Sequence, residues 1–128
     1  IGEEVENAMK NTMRKFPEAS LVEFTVAPQV TPREGLPHHE WFIEFSNPPN
    51  DLQSFAGELD LQLRKLNVYY DDLISGNILR TLQITNLPKN AFIDYMKSIG
   101  KLGGQNKVPR LANDRKIAND LSKISGTG

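Results

Sequence analysis

Two apolar runs with a period of two, Val22, Phe24, Val26 and Trp41, Ile43, Phe45, lie on either side of a stretch punctuated by Pro28, Pro32, Gly35 and Pro37. Such alternation sends successive side chains to opposite faces of an extended chain, so each run reads as a strand with one face toward a core. Leu21, Glu23 and Thr25 form the other face of the first strand. Glu40, Phe42 and Glu44 form that of the second, which therefore has apolar residues on both sides. The roughly ten-residue connection is longer than most and is a candidate functional loop. The cluster Ser46-Asn47-Pro48-Pro49-Asn50 ends the second strand.

Elsewhere the period is helical. Val5, Ala8, Met9 and Met13 share one face of a first helix, with Glu3, Glu4 and Glu6 in its first turn and Arg14 and Lys15 in its last, where they complement the helix dipole. Asp51 is placed to cap a second helix carrying Leu52, Phe55, Ala56, Leu59, Leu63 and Leu66. A short helical piece is expected over 69–74, ended by Ser75-Gly76, and a third strand over 78–85 with Leu82 and Ile84 on one face. Asn90 is expected to cap a helix with Phe92, Ile93, Met96 and Ile99 inward and Gly100 as its stop. A Gly-rich loop with one short extended piece covers 101–109. Asn113 or Asp114 then caps a last helix with Ile117, Leu121 and Ile124 inward. The order implies one α+β domain over residues 1–128, with helices covering a small, mainly antiparallel sheet.

Composition narrows the function. No run approaches the roughly 18 apolar residues of a membrane span, so no membrane partner is expected. Zero cysteine removes disulfides, thiolate metal sites and cysteine nucleophiles, and fits a reducing, cytoplasmic compartment. A net charge of -1 gives no support for nucleic-acid binding driven by overall charge. That average hides a gradient: residues 1–100 carry 9 basic and 14 acidic side chains, whereas residues 101–128 carry 6 and 2. The start, Ile1-Gly2-Glu3-Glu4, has no initiator Met, basic n-region or apolar h-region and reads as a cut through a longer protein.

The densest chemical signal lies in the basic end. In Gly100-Lys101-Leu102-Gly103-Gly104-Gln105-Asn106-Lys107-Val108-Pro109-Arg110, Gly103 and Gly104 let backbone amides approach a ligand, while Lys101, Lys107 and Arg110 supply donors for phosphate or carboxylate. This is not a Walker A loop, because it follows a helix and Lys107 precedes Val108 instead of Ser or Thr. By composition alone it also fits a solvated connection. The entropy cost of the glycines, with Pro109 stiffening the exit, favours a loop shaped for a contact. His38 and His39 enter a strand pointing to opposite faces and so do not chelate one metal; a positioning or loop-anchoring role suits His39, next to the Pro-rich loop, better than metal binding. Asp71 and Asp72 diverge by about 100 degrees on a helix, which fits a solvated face with one of Tyr69 and Tyr70 packed inward. Trp41 and the phenylalanines read as core, not as stacking platforms for bases.

The stretch from Gly100 to Arg115, together with His39-Glu40-Trp41-Phe42-Ile43-Glu44-Phe45 and Leu66-Asn67-Val68-Tyr69-Tyr70, resembles the C-terminal domain of the auxin-responsive acyl acid-amido synthetase family, in its bacterial form. The likeness covers essentially the whole chain. The Gln-x-Lys-x-Pro-Arg core also occurs in plant members, whose preceding run differs from Lys101-Leu102-Gly103-Gly104, so Lys101 rests on this chain's own composition. The resemblance implies an adenylate-forming enzyme that activates a carboxylic acid with ATP and Mg²⁺, then transfers the acyl group to an amino acid amine. A larger N-terminal domain would hold most nucleotide, metal and acid contacts, and this domain would be a mobile lid that is inactive alone. Lys107 would be the lid lysine, with Gln105 and Arg110 beside it. Attack of a carboxylate on the α-phosphate builds negative charge, and a lysine delivered by a closing lid neutralises it while water is excluded; such a cation is worth about 3 kcal/mol of barrier. Two other functions remain open: a non-catalytic module docking an acidic partner through its basic end, and the lid of an adenylating thiol ligase.

Overall fold

The computed structural model describes residues 2–101 and 107–125. In chain order these form α1 (Gly2–Lys15), β1 (Ser20–Gln29), β2 (His38–Asn47), α2 (Leu52–Leu66), α3 (Val68–Ser75), β3 (Gln83–Asn86), α4 (Ala91–Ser98) and α5 (Lys116–Ser125). The three strands make one sheet in the order β1-β2-β3, an α+β arrangement as the periodicities imply. It is mixed: β1 and β2 pair antiparallel along most of their length, while β3 joins β2 in parallel over four residues. The parallel pair follows from the connection, since a chain returning through α2 and α3 re-enters the sheet in the direction it left.

The sheet separates two apolar clusters. Phe24, Val26, Trp41, Ile43 and Phe45 face α1 and α2, and with Phe55, Leu59 and Met9 they make the larger core. Ala27 and Phe42 point the other way, toward Phe92, Tyr95, Ala118 and Leu121 of α4 and α5. Phe42 thus gives β2 its second apolar face, the reason one strand serves both layers.

Four expectations need correction. Val22 does not share the inward face of Phe24 but is 50% exposed. The pairing slips between Leu21 and Glu23, so Leu21 takes the place opposite Phe45 and Val22 is the extra residue of a bulge. The third strand is half the expected length, because the Ile78 and Leu79 N–H groups bond the Leu73 carbonyl of α3 and the Arg80 N–H bonds the Pro37 carbonyl, so the chain joins β2 only from Gln83. On α4, Tyr95 instead of Ile93 turns inward, and the expected Asn90 cap makes no side-chain bond. Asn90 itself lies in the left-handed region at φ 71°, and the carboxylate of buried Glu44 accepts the Asn90 and Phe92 N–H groups at 2.9 and 3.1 Å. A strand residue therefore caps this helix and sets its rotation.

Other signals hold as local chemistry dictates. Asp51 accepts from the Gln53 and Ser54 N–H groups, and Asp114 from that of Lys116. Tyr70 is buried and donates to Asp60 at 2.5 Å while Tyr69 stays exposed. No helix among the described residues is long and apolar enough to cross a membrane.

Candidate functional site

Gly100 ends α4 through its freedom to adopt φ 70°. Its N–H donates to the Lys97 carbonyl at 3.1 Å, and the Lys101 N–H to the Met96 carbonyl at 2.9 Å, the paired bonds of a Schellman motif. The backbone of Lys101 is thereby fixed at the foot of the loop, with its side chain exposed.

The other foot is fixed by the sheet. Val108 is buried against the smaller core. Next to it, the Pro109 carbonyl accepts the Thr25 hydroxyl at 2.6 Å. The Val26 N–H donates to the Arg110 carbonyl at 2.9 Å and the Ala112 N–H to the Val26 carbonyl at 2.8 Å, so Leu111 bridges Val26 in parallel along the outer edge of β1. Lys107 sits just before this anchor and is exposed. Both lysines border one cavity of about 200 Å³, floored by Tyr95, Met96, Ile99, Val108 and Ile117. Among the described residues neither lysine has an ion-pair partner, and two lysines lining one small cavity are a charge pattern that suits an anion. Of the other residues expected at the site, Gly103, Gly104 and Gln105 lie outside the described residues.

Arg110 faces elsewhere. Its Nε donates to Glu6 at 2.5 Å, its Nη1 donates to Glu23 and to the Phe24 carbonyl, and its guanidinium lies 4.3 Å over the Phe24 ring. Arg115 likewise bonds Glu40 at 2.8 Å. Part of the charge opposition between the two parts of the chain is therefore satisfied within the fold, where two arginines dock the C-terminal segment onto the acidic body. Glu6, Glu23 and Thr25 had no sequence signal as holders of this segment, since they lie 84 to 104 residues from their partners.

The histidines divide their roles differently from expectation. His38 is the residue that anchors the Pro-rich loop: Arg80 Nε donates to its Nδ1 at 3.3 Å, and the Arg80 N–H binds the Pro37 carbonyl. His39 stacks on Tyr70 with centroids 5.3 Å apart. Burial lowers the pKa of both below the usual 6.5. No group of three potential metal-ligating side chains occurs among the described residues.

Residues 3–116 match the GH3 family C-terminal domain. No curated protein matches the chain. Among solved structures, a GH3.15 acyl acid amido synthetase superposes with a TM-score of 0.72 at 16% identity, covering 98% of this chain and 23% of that one. Another, described as AtGH3.15 acyl acid amido synthetase in complex with 2,4-DB, gives 0.68 at 18% identity, covering 95% and 22%. The chain thus spans less than a quarter of the structures it resembles. With the match running from α1 into the start of α5, and with the same α+β architecture in those structures, this chain belongs to the GH3 family and is a C-terminal domain of that enzyme family.

Proposed function

We propose that this domain is the lid of an ATP-dependent acyl acid-amido synthetase, closing over a larger N-terminal domain that adenylates a carboxylic acid and passes the acyl group to an amino acid. The observation that supports it most directly is the exposed Lys107, held at the rim of a hollow by a segment bonded to the edge of β1. A lysine on a rigid support, facing outward from a small domain, suits delivery of charge to a site completed by another domain. Lys107 neutralises charge developing at the α-phosphate, and Lys101, 6 residues earlier in the chain and on the same hollow, adds a second cation for the phosphates. Gln105 and the amides of Gly103 and Gly104 supply further donors. Mg²⁺ and most ATP contacts fall to the N-terminal domain, as does the choice of acid. The 128-residue chain is then too little to catalyse alone.

The test is ATP–pyrophosphate exchange by the full-length protein. Lys107→Ala should slow exchange by roughly two orders of magnitude, the usual loss when one charge-stabilising donor is removed. Near-normal exchange would sink the assignment.

A further inference from the structure

Arg110 follows Lys107 by three positions and is bound on two sides at once. Its guanidinium joins Glu6, in the first half of α1, to Glu23 and the Phe24 carbonyl of β1. Glu23 is itself held, accepting the Phe24 N–H at 3.0 Å, and the Phe24 ring under the guanidinium stacks on Trp41 at 5.6 Å. Only a planar fork with several donors satisfies a helix carboxylate, a strand carboxylate and a carbonyl from one side chain. The Arg110 side chain is 26% exposed, so these pairs are partly shielded from solvent. For Arg110 to touch a phosphate, both pairs would have to open.

We propose that Arg110 is a positioning residue: it locks residues 107–112 onto α1 and β1, so that Lys107 is presented at a fixed place relative to α1, and it influences phosphate chemistry only through Lys107. This rests on the adenylation role proposed for Lys107. A movement of α1 is then carried directly to the lysine, because Glu6 and Arg110 move together.

The experiment uses the full-length protein and two readouts, pyrophosphate-exchange kinetics and deuterium uptake in peptides covering 107–112. Arg110→Ala should lower kcat roughly tenfold to a hundredfold with KM for ATP changed less than about twofold, the signature of a lost transition-state contribution without lost ground-state binding. Arg110→Lys should restore little of it, since one ammonium does not span both carboxylates and the carbonyl. Glu6→Gln should lower kcat by about threefold, and each variant should raise uptake at 107–112 while α2 keeps its protection. In a Lys107→Ala background Arg110→Ala should cost almost nothing more, because coupled residues are not additive. Additive losses, or a KM for ATP raised about tenfold with unchanged uptake, would overturn the proposal in favour of direct phosphate contact. If the unmodified protein exchanges no pyrophosphate with any acid, the adenylation reading fails by itself. Uptake still decides the anchoring, and no change at 107–112 in Arg110→Ala overturns it.

Discussion

The two faces of the sheet differ in kind. One carries Phe24, Trp41, Ile43 and Phe45 against two helices of 14 and 15 residues, with Phe55 meeting Phe16 and Phe45 at ring distances of 5.1 and 5.4 Å. The other has Ala27 and Phe42 under α4 and α5, of 8 and 10 residues, and leans on a buried carboxylate and an arginine pair for its order. Large aromatic burial gives the first face most of the apolar stabilisation, at roughly 1.5–3 kcal/mol per large side chain. Exposed Lys107 lies on the second. Elements with fewer buried apolar contacts open first, so the thinner layer under α4 and α5 should open before the broad core under α1 and α2.

The comparison breaks or sharpens on four measurements. The largest effect belongs to Phe55→Ala, which should cost about 3–5 kcal/mol in chemical denaturation and lower amide protection across the whole domain. Leu121→Ala removes a fully buried side chain from the thinner face and should cost about 2–4 kcal/mol. Its loss of protection should concentrate in α4, α5 and residues 107–112; equal loss over α1 and α2 would show that both faces unfold as one unit. Glu44→Ala leaves the Asn90 and Phe92 N–H groups without their acceptor and should cost about 1–3 kcal/mol, read as fraying of α4. The smallest effect is on pH. Burial favours the neutral form of His38 and His39 in the folded state, whereas the unfolded chain takes up protons as pH falls through 6.5. Stability should therefore be fully present above that value and decline toward pH 5. His39→Phe should flatten this slope in urea titrations at pH 7 and pH 5.5, and an unchanged slope would remove His39 from the account.

Much of this was legible residue by residue. The alternation around Phe24 and Trp41, the Asp51 cap, the Gly100 stop and the inward Leu121 depend on neighbours within a few positions, so the chain declares them locally. The candidate site was legible only as an expectation: glycines, two lysines and a proline suggest a loop shaped for a contact, and the resemblance singles out Lys107. Its support was not. Arg110 has the composition of a ligand residue, yet its donors turn to Glu6 and Glu23, and nothing in periodicity connects residues 104 and 87 positions apart. The bulge at Val22 was likewise hidden, because a register slip is decided by which side chain of β1 fits opposite Phe45, not by the alternation within β1.

By itself, then, the sequence determined most element types, the core-facing residues Phe24, Val26, Trp41, Ile43 and Phe45, and the stop before the loop. Tertiary structure alone decided that β3 runs parallel to β2, that Glu44 caps α4, that His38 and not His39 anchors the loop, and that the basic end is partly spent on the domain's own acids. Helix and strand signals arise from contacts a few residues apart. These others arise from groups brought together only when the sheet closes, where unpaired buried charge and N–H groups are costly enough to select one arrangement.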